Sequence, residues 1–222
     1  YEIGSGLVGS EMCIRDRFLM KVFEVGGQEV VTQVLAESFV AHGHCVGIAC
    51  FNKPNPFMTD RIDSRIRFYT LDGFKYSTVN VGKLRSVLTD CHIDIVINQW
   101  GLPYVPAKVL NKAKVGLDVK VIAIYHNSPD TNGRIKNVEI ALGMTHNSLK
   151  KLLLHCKKHI YTIVTSRSMR YVYNHSDFYM LLSPSFVDKF KAFIGVRYPN
   201  HLAVLTNPVT IDASGYDYSL SL

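Results

Sequence analysis

Two short stretches carry residue types that do chemistry when a fold exposes them. EVGGQEVV, residues 24–31, sets Gly26 and Gly27 directly before an apolar segment of helical spacing. Glycine has no Cβ, so such a turn lets a ligand approach the backbone, and a helix opening there offers unpaired N–H groups and a positive dipole end to phosphate. A double glycine is also an ordinary tight turn. YHNSPD, residues 125–130, sets His126 and Asn127 at the end of an apolar run. There the imidazole can donate to a substrate oxygen or shuttle a proton, or it can be a satisfied structural residue.

Three further positions have the same double reading. Trp100, followed by Gly101, can stack on a sugar or base or simply pack into a core. Ser183 ends one run and precedes a helix, which a capping role explains without a ligand. Asn207 and Pro208 end another run, where their plainest role is to turn the chain outward. A second glycine pattern, Gly4, Gly6 and Gly9 in GSGLVGSE, spells G-x-G-x-x-G. That fingerprint binds a dinucleotide only when a strand enters it and a full crossover helix leaves it. Only three residues precede Gly4. The following SEMCIRDR resembles translated sequencing-adapter sequence, so residues 1–17 are read as a non-native leader outside the fold argument.

These residues need elements to hold them. Residues 18–23, 44–51, 66–71, 94–100, 120–126, 178–183 and 201–207 read as strands, most of them nearly continuous hydrophobics, the pattern of a parallel sheet covered on both faces. Between them Val30, Val31, Val34, Leu35 and Phe39 recur at helical spacing and Gly43 stops that helix. Further helices are expected over residues 81–88, 105–115, 147–173 (with a break) and 185–194, and loops over 52–64 and 127–134. The alternation predicts an α/β fold, a doubly wound and mostly parallel Rossmann-like sheet spanning residues 18–212. Residues 213–222 are polar and read as the start of a linker.

Composition narrows the class. The 222 residues are 47% hydrophobic and 19% charged, enough for one large core. No apolar run approaches the ~18 residues of a membrane span. Five cysteines without C-x-x-C spacing disfavour a disulfide framework or a zinc knuckle and fit a reducing cytoplasm. The formal charge of +7 is concentrated: residues 134–170 hold eight Lys and Arg against one acid, Glu139. Such a segment attracts phosphates, anionic headgroups or charged substrates, although many charge runs are only solvated helix faces.

Taken in order, GGQEVVTQVLAESFVAHGHCVGIACF, IDIVINQWG, KVIAIYHNSP, DFYMLLSPSFVDKF and LAVLTNPVTID resemble the amino-terminal domain of family 4 glycosyltransferases, which have the GT-B fold. The family-like features are Gly26, Gly27 and Glu29; Gly43, His44 and Val46; His126; Ser183; and Asn207 with Pro208. The resemblance implies a retaining enzyme of hexosyltransferase type. It would move sugar from a nucleotide-sugar donor to a glycan or lipid-linked acceptor in surface polysaccharide synthesis, with no cofactor and no metal. It further implies that Gly26, Gly27, Glu29, Trp100, Asn127, Ser183 and Asn207 bind substrate and that His126 acts on the transferred sugar or places the acceptor. The basic segment would rest on an anionic membrane, peripherally on the inner face. The family's nucleotide-binding domain and its E-x7-E carboxylates would lie in a second lobe, without which the chain should not turn over. Two rivals rank lower: a Rossmann oxidoreductase using Gly4, Gly6 and Gly9 with Glu24 as ribose acid, and a noncatalytic anion-binding or nucleic-acid-binding module.

Overall fold

The computed structural model describes residues 13–130 and 132–208. Seven strands, β1 (Arg15–Met20), β2 (Cys45–Cys50), β3 (Arg67–Thr70), β4 (Ile95–Asn98), β5 (Lys120–Tyr125), β6 (Phe178–Leu181) and β7 (Leu202–Val204), form one sheet in the order β3-β2-β1-β4-β5-β6-β7. Every pairing is parallel. The connecting helices are α1 (Gly27–Ala41), α2 (Pro56–Thr59), α3 (Thr78–Asp90), α4 (Tyr104–Ala113), α5 (Gly133–Met144), α6 (Ser148–Asn174) and α7 (Phe186–Ile194).

The strand order runs outward in two directions from the β1–β4 pair, and right-handed crossovers then send helices to opposite faces. Successive strand side chains alternate between those faces. Phe18 and Met20 join Ile48, Cys50 and Ile97 under Ala36 and Val40 of α1. Leu19, Ala49, Val96 and Val121 pack instead against Leu84 and Leu88 of α3 and Leu110 of α4. Toward β6, Tyr179 and Leu181 meet Met169 and Tyr173 of α6 and Phe190 of α7, with the Tyr179 and Phe190 rings stacked at 4.8 Å.

Several expected boundaries move. Helix α6 is continuous where a break was expected, α5 occupies residues assigned to no element, and α2 is a single turn inside the expected 52–64 loop. The largest shift concerns β1, which starts and ends three residues earlier than the expected 18–23. Arg15, Asp16 and Arg17, read as leader, therefore lie in a central strand hydrogen-bonded on both sides. Gly4, Gly6 and Gly9 lie outside the described residues, and so does the expected linker at 213–222. The turn between β1 and α1 contains Gly26, and it is this turn, after the strand, that a dinucleotide fingerprint would have to occupy.

Asp16 and Arg17 are unusual in a central strand, at 1% and 4% exposure. Burial pushes the Asp16 carboxyl up, opposed by a 2.5 Å contact with His44 Nδ1. Arg17 fills the space beside Gly47, where a Cβ would collide with the guanidinium, and it lies 4.6 Å from the Tyr69 ring. Its Nε is buried without a hydrogen-bond partner. A desolvated, incompletely satisfied cation is often less stable than an apolar side chain of similar size. Arg17→Met is expected to raise the urea midpoint at constant m, a gain of about 1–3 kcal/mol in unfolding free energy; a lowered midpoint would show that Tyr69 and the surrounding cavity compensate the charge fully.

Candidate functional site

The carboxyl ends of β1, β4 and β5 converge where the strand order reverses, the position at which open α/β sheets bind ligands. A cavity of about 230 Å³ opens there, lined among others by Gln28, Gln99, Trp100, Tyr125, His126 and Asn127. Gln28 belongs to the first turn of α1, Gln99 and Trp100 follow β4, and His126 and Asn127 follow β5.

The glycine turn divides its work. Gly26 is extended at φ −173° and caps α1 without any side-chain hydrogen bond. A Cβ on Gly26 would strike the Glu29 carboxylate, whereas a Cβ on Gly27 would meet nothing within 4 Å. Gly26 thus packs against the Glu29 carboxylate, which also accepts from its own backbone N–H, and Gly27 leaves open space at the first turn of α1. Glu29 is only 7% exposed and sits beneath the turn, with its carboxyl pushed up chiefly by burial.

His126 meets a residue that the sequence reading did not select. Its Nε2–H donates to Gln99 Oε1 at 2.6 Å. Gln99 is 1% exposed, and its backbone carbonyl accepts from the Gln28 side-chain amide, which ties α1 to the end of β4. Its own amide Nε2 is buried and has no partner. With the Nε2 proton committed, Nδ1 of His126 carries the lone pair, and it has no partner among the described residues. Burial lowers the His126 pKa to about 4, so the ring is neutral near pH 7. The Tyr125 hydroxyl, pushed to about 12 by burial, also stays protonated. The arrangement offers one neutral imidazole acceptor and one buried amide donor, a pair suited to grip a hydroxyl rather than an anion.

Trp100 lines the cavity. Its ring lies 5.6 Å from Phe74, with Lys21 Nζ 5.7 Å above it, and its indole Nε1 is buried without a partner. Gly101 has a steric reason, because a Cβ would come within 2.6 Å of the Ile124 carbonyl oxygen. Asn127 lines the cavity and is exposed. Ser183 is not part of this lining: its hydroxyl accepts from Ser185 N and contacts Ser185 Oγ in the turn before α7, whose N-cap, Ser185, makes no side-chain capping bond, so the expected cap is not formed. Asn207 lies beyond β7, exposed and also outside the lining. Glu24 is exposed in the turn after β1. Among the described residues, no group of three or more His, Cys, Asp or Glu is placed to hold a metal.

A histidine whose pKa is depressed in the fold takes up protons more readily when unfolded, so its stabilising contribution is full above pH ~6.5 and lost as pH falls toward 4. Imidazole ¹⁵N shifts of His126 should report the neutral Nε2–H tautomer at pH 7 and a midpoint near 4. His126→Gln should flatten the fall in stability between pH 6.5 and 4 by about 1–3 kcal/mol. A titration midpoint between 6 and 7 would refute the buried, Gln99-bound state.

The chain matches the model of Glycosyltransferase Family 4 over residues 25–213. No curated protein matches it significantly. Among solved structures it is similar to Anabaena Alr3699/HepE in complex with UDP, at 12% identity and a TM-score of 0.50, covering 87% of this chain and 44% of that one. It is also similar to Phytolacca americana UGT2 complexed with UDP-2fluoro-glucose and pterostilbene (9% identity, TM-score 0.48, covering 87% and 54%). A third is a short-chain dehydrogenase/reductase from Veillonella parvula in complex with NADP (13% identity, TM-score 0.44, covering 90% and 97%). The likeness to HepE speaks for the fold alone, and this chain spans less than half the length of HepE. The family match covers most of the chain, and the site lies where the fold predicts one: the protein belongs to glycosyltransferase family 4.

Proposed function

We propose that this domain is the acceptor-side half of a retaining hexosyltransferase that uses a nucleotide-sugar donor and a glycan or lipid-linked acceptor in surface polysaccharide synthesis. The observation that carries the reading is the meeting of the first turn of α1, through Gln28, with Gln99 and His126 in one crevice. The HepE structures, with UDP and with UDP and glucose, support a nucleotide sugar as the donor.

In this reading the donor diphosphate lies over Gly27, where open space and helix N–H groups meet it. The transferred sugar reaches the cavity floor, where a hydroxyl donates to His126 Nδ1 and a ring or hydroxyl oxygen accepts from Gln99 Nε2. The bond from the anomeric carbon to the diphosphate oxygen breaks, and its electron pair leaves with the nucleoside diphosphate. The acceptor hydroxyl oxygen forms the new bond and its proton passes to the departing phosphate. Neutral groups suit the sugar because a charged imidazole would compete for the diphosphate itself. In this reading a second lobe completes the nucleotide site.

The location is proposed to be cytoplasmic, on the inner face of the bacterial membrane, through α5 and α6. Eight cations of residues 134–170 lie on these helices, and one of them, Lys158, is paired with Glu139 at 2.8 Å. Among the described residues no helix is long and apolar enough to cross a membrane.

Two measurements test this. In an enzyme comprising this domain and its second lobe, His126→Ala is expected to lower kcat/KM at least 100-fold with unchanged near-UV circular dichroism; retained turnover removes His126 from the site. Gly27→Ala should leave the melting temperature equal or higher, because Ala favours the helix by up to about 1 kcal/mol, yet weaken nucleotide-sugar binding roughly tenfold or more. Unchanged donor affinity would place the diphosphate elsewhere.

A further inference from the structure

A cavity of about 520 Å³ opens at the leading edge of the sheet, the end opposite the crevice. That volume is in the range of small-molecule sites, ~300–1,000 Å³. Four arginines line it, Arg15 and Arg17 of β1 and Arg65 and Arg67 from the entry to β3, against one acid, Asp90 at the end of α3. Arg15 and Arg17, read as leader in the sequence, are part of β1 in the fold and pair with β2.

The strand register builds the cluster. Arg17 pairs with Gly47 of β2, and Gly47 pairs in turn with Arg67 of β3. The two arginines therefore stand level across three strands, with backbones roughly 10 Å apart, and share one face of the sheet. Arg15, two residues before Arg17, projects to the same face. Gly47 has no side chain between them, and the Arg17 guanidinium occupies the space that a Cβ there would need.

This cluster is short of negative charge. Arg65 is held by Asp63 at 2.6 Å, and the buried Asp16 is engaged by His44, but among the described residues Arg15, Arg17 and Arg67 form no ion pair. Arg17 is almost fully buried, its Nε has no hydrogen-bond partner, and the nearby Arg67 charge opposes its own. A desolvated cation beside a like charge is costly unless a counter-charge completes it. The glycine inside β2 adds to the cost, since it weakens the strand and marks a place where another group approaches closely. Local rules broken together in this way are expected at functional sites.

We propose that this cavity is an anion-binding site for a diphosphate group, whose oxygens bridge the guanidinium forks of Arg17 and Arg67 while Arg15 closes the outer side. A single carboxylate satisfies one fork, whereas the several oxygens of a diphosphate accept from forks on both sides of β2 at once. The site is independent of the glycosyltransferase reading, because no residue of this cavity lines the crevice.

The test uses the 222-residue chain and inorganic pyrophosphate, followed by calorimetry and by the Arg17 Nε–Hε magnetic resonance signal. Pyrophosphate is expected to bind saturably, to shift that signal, and to bind at least tenfold more tightly than succinate, a dianion built from carboxylates. Arg67→Gln, at an exposed position, should cost at least tenfold in affinity without lowering the melting temperature. Arg17→Met should be the more stable chain without ligand, and the wild type should gain on it as pyrophosphate is added, because a ligand stabilises only the chain that binds it. Affinity that both variants leave unchanged, or succinate binding as tightly as pyrophosphate, overturns the proposal. Pyrophosphate that binds without moving the Arg17 signal also overturns it, having gone to another site such as the α1 turn, and leaves the glycosyltransferase reading standing. Binding of UDP without binding of pyrophosphate would shift recognition to the nucleoside and end the diphosphate assignment.

Discussion

The reversal of strand order between β1 and β4 governs the rest of the molecule. Because right-handed crossovers carry α1 to one face and α3 and α4 to the other, the two sets of helices part above this strand pair and leave an open crevice. Whatever follows β1, β4 and β5 must line that crevice, whatever its chemistry. The Gly26 turn, Gln99 and His126 are therefore brought together by topology from positions about a hundred residues apart. Their fine placement is local: Gln28 reaches from α1 to the Gln99 carbonyl, and Gln99 in turn fixes the imidazole.

Charge is separated along this crevice. The His126 pocket is built from neutral groups, with burial alone holding the imidazole below its ordinary range. The neighbouring cavity, edged by Lys21, Arg134 and Arg167, carries three cations and no acid. A neutral pocket can hold hydroxyls without trapping the diphosphate, and the cationic cavity can hold an anion a short distance away. Trp100 stands between them with Lys21 over its ring, so the indole separates the two environments as a wall and touches both. The single-residue reading of Trp100 as either core packing or a stacking surface misses this position, because each alternative describes one side of the ring.

The sheet was legible because buried parallel strands are written as near-continuous apolar runs, and all seven appear within a few residues of their expected places. His126 was legible because it ends such a run. Gln99 was not: in DIVINQW it reads as one polar residue at a strand end, and only the β4–β5 pairing sets its side chain against the imidazole. Helix α5 escaped because its buried contacts are only Ile135 and Val138, so its sequence carries little helical periodicity. Helix α6 runs unbroken over Ser148–Asn174 where a break was expected, and its exposed leucines and isoleucines share one face. Ser183 illustrates the converse, a residue that fits a family pattern while its hydroxyl is occupied in the turn before α7.

Strand β1 shows why the site end of the sheet can be well formed although the other end is poorly suited to burial. Asp16 and Arg17 lie at its leading end, where a cavity lined by Arg15, Arg17, Arg65 and Arg67 lets solvent approach. Phe18, Leu19 and Met20, fully buried, complete the core on both faces before the chain reaches the Gly26 turn. The cost of burying Asp16 and Arg17 thus falls at the end of β1 away from the crevice. Parallel pairing sets Phe18 against Ile48 and Ile97, and backbone hydrogen bonds from Phe51 and Gln99 to Met20 and Leu19 hold the trailing end of β1 together with its apolar contacts. Asp16 and Arg17 thus lie at the end of β1 away from the crevice where Gln28, Gln99 and His126 meet.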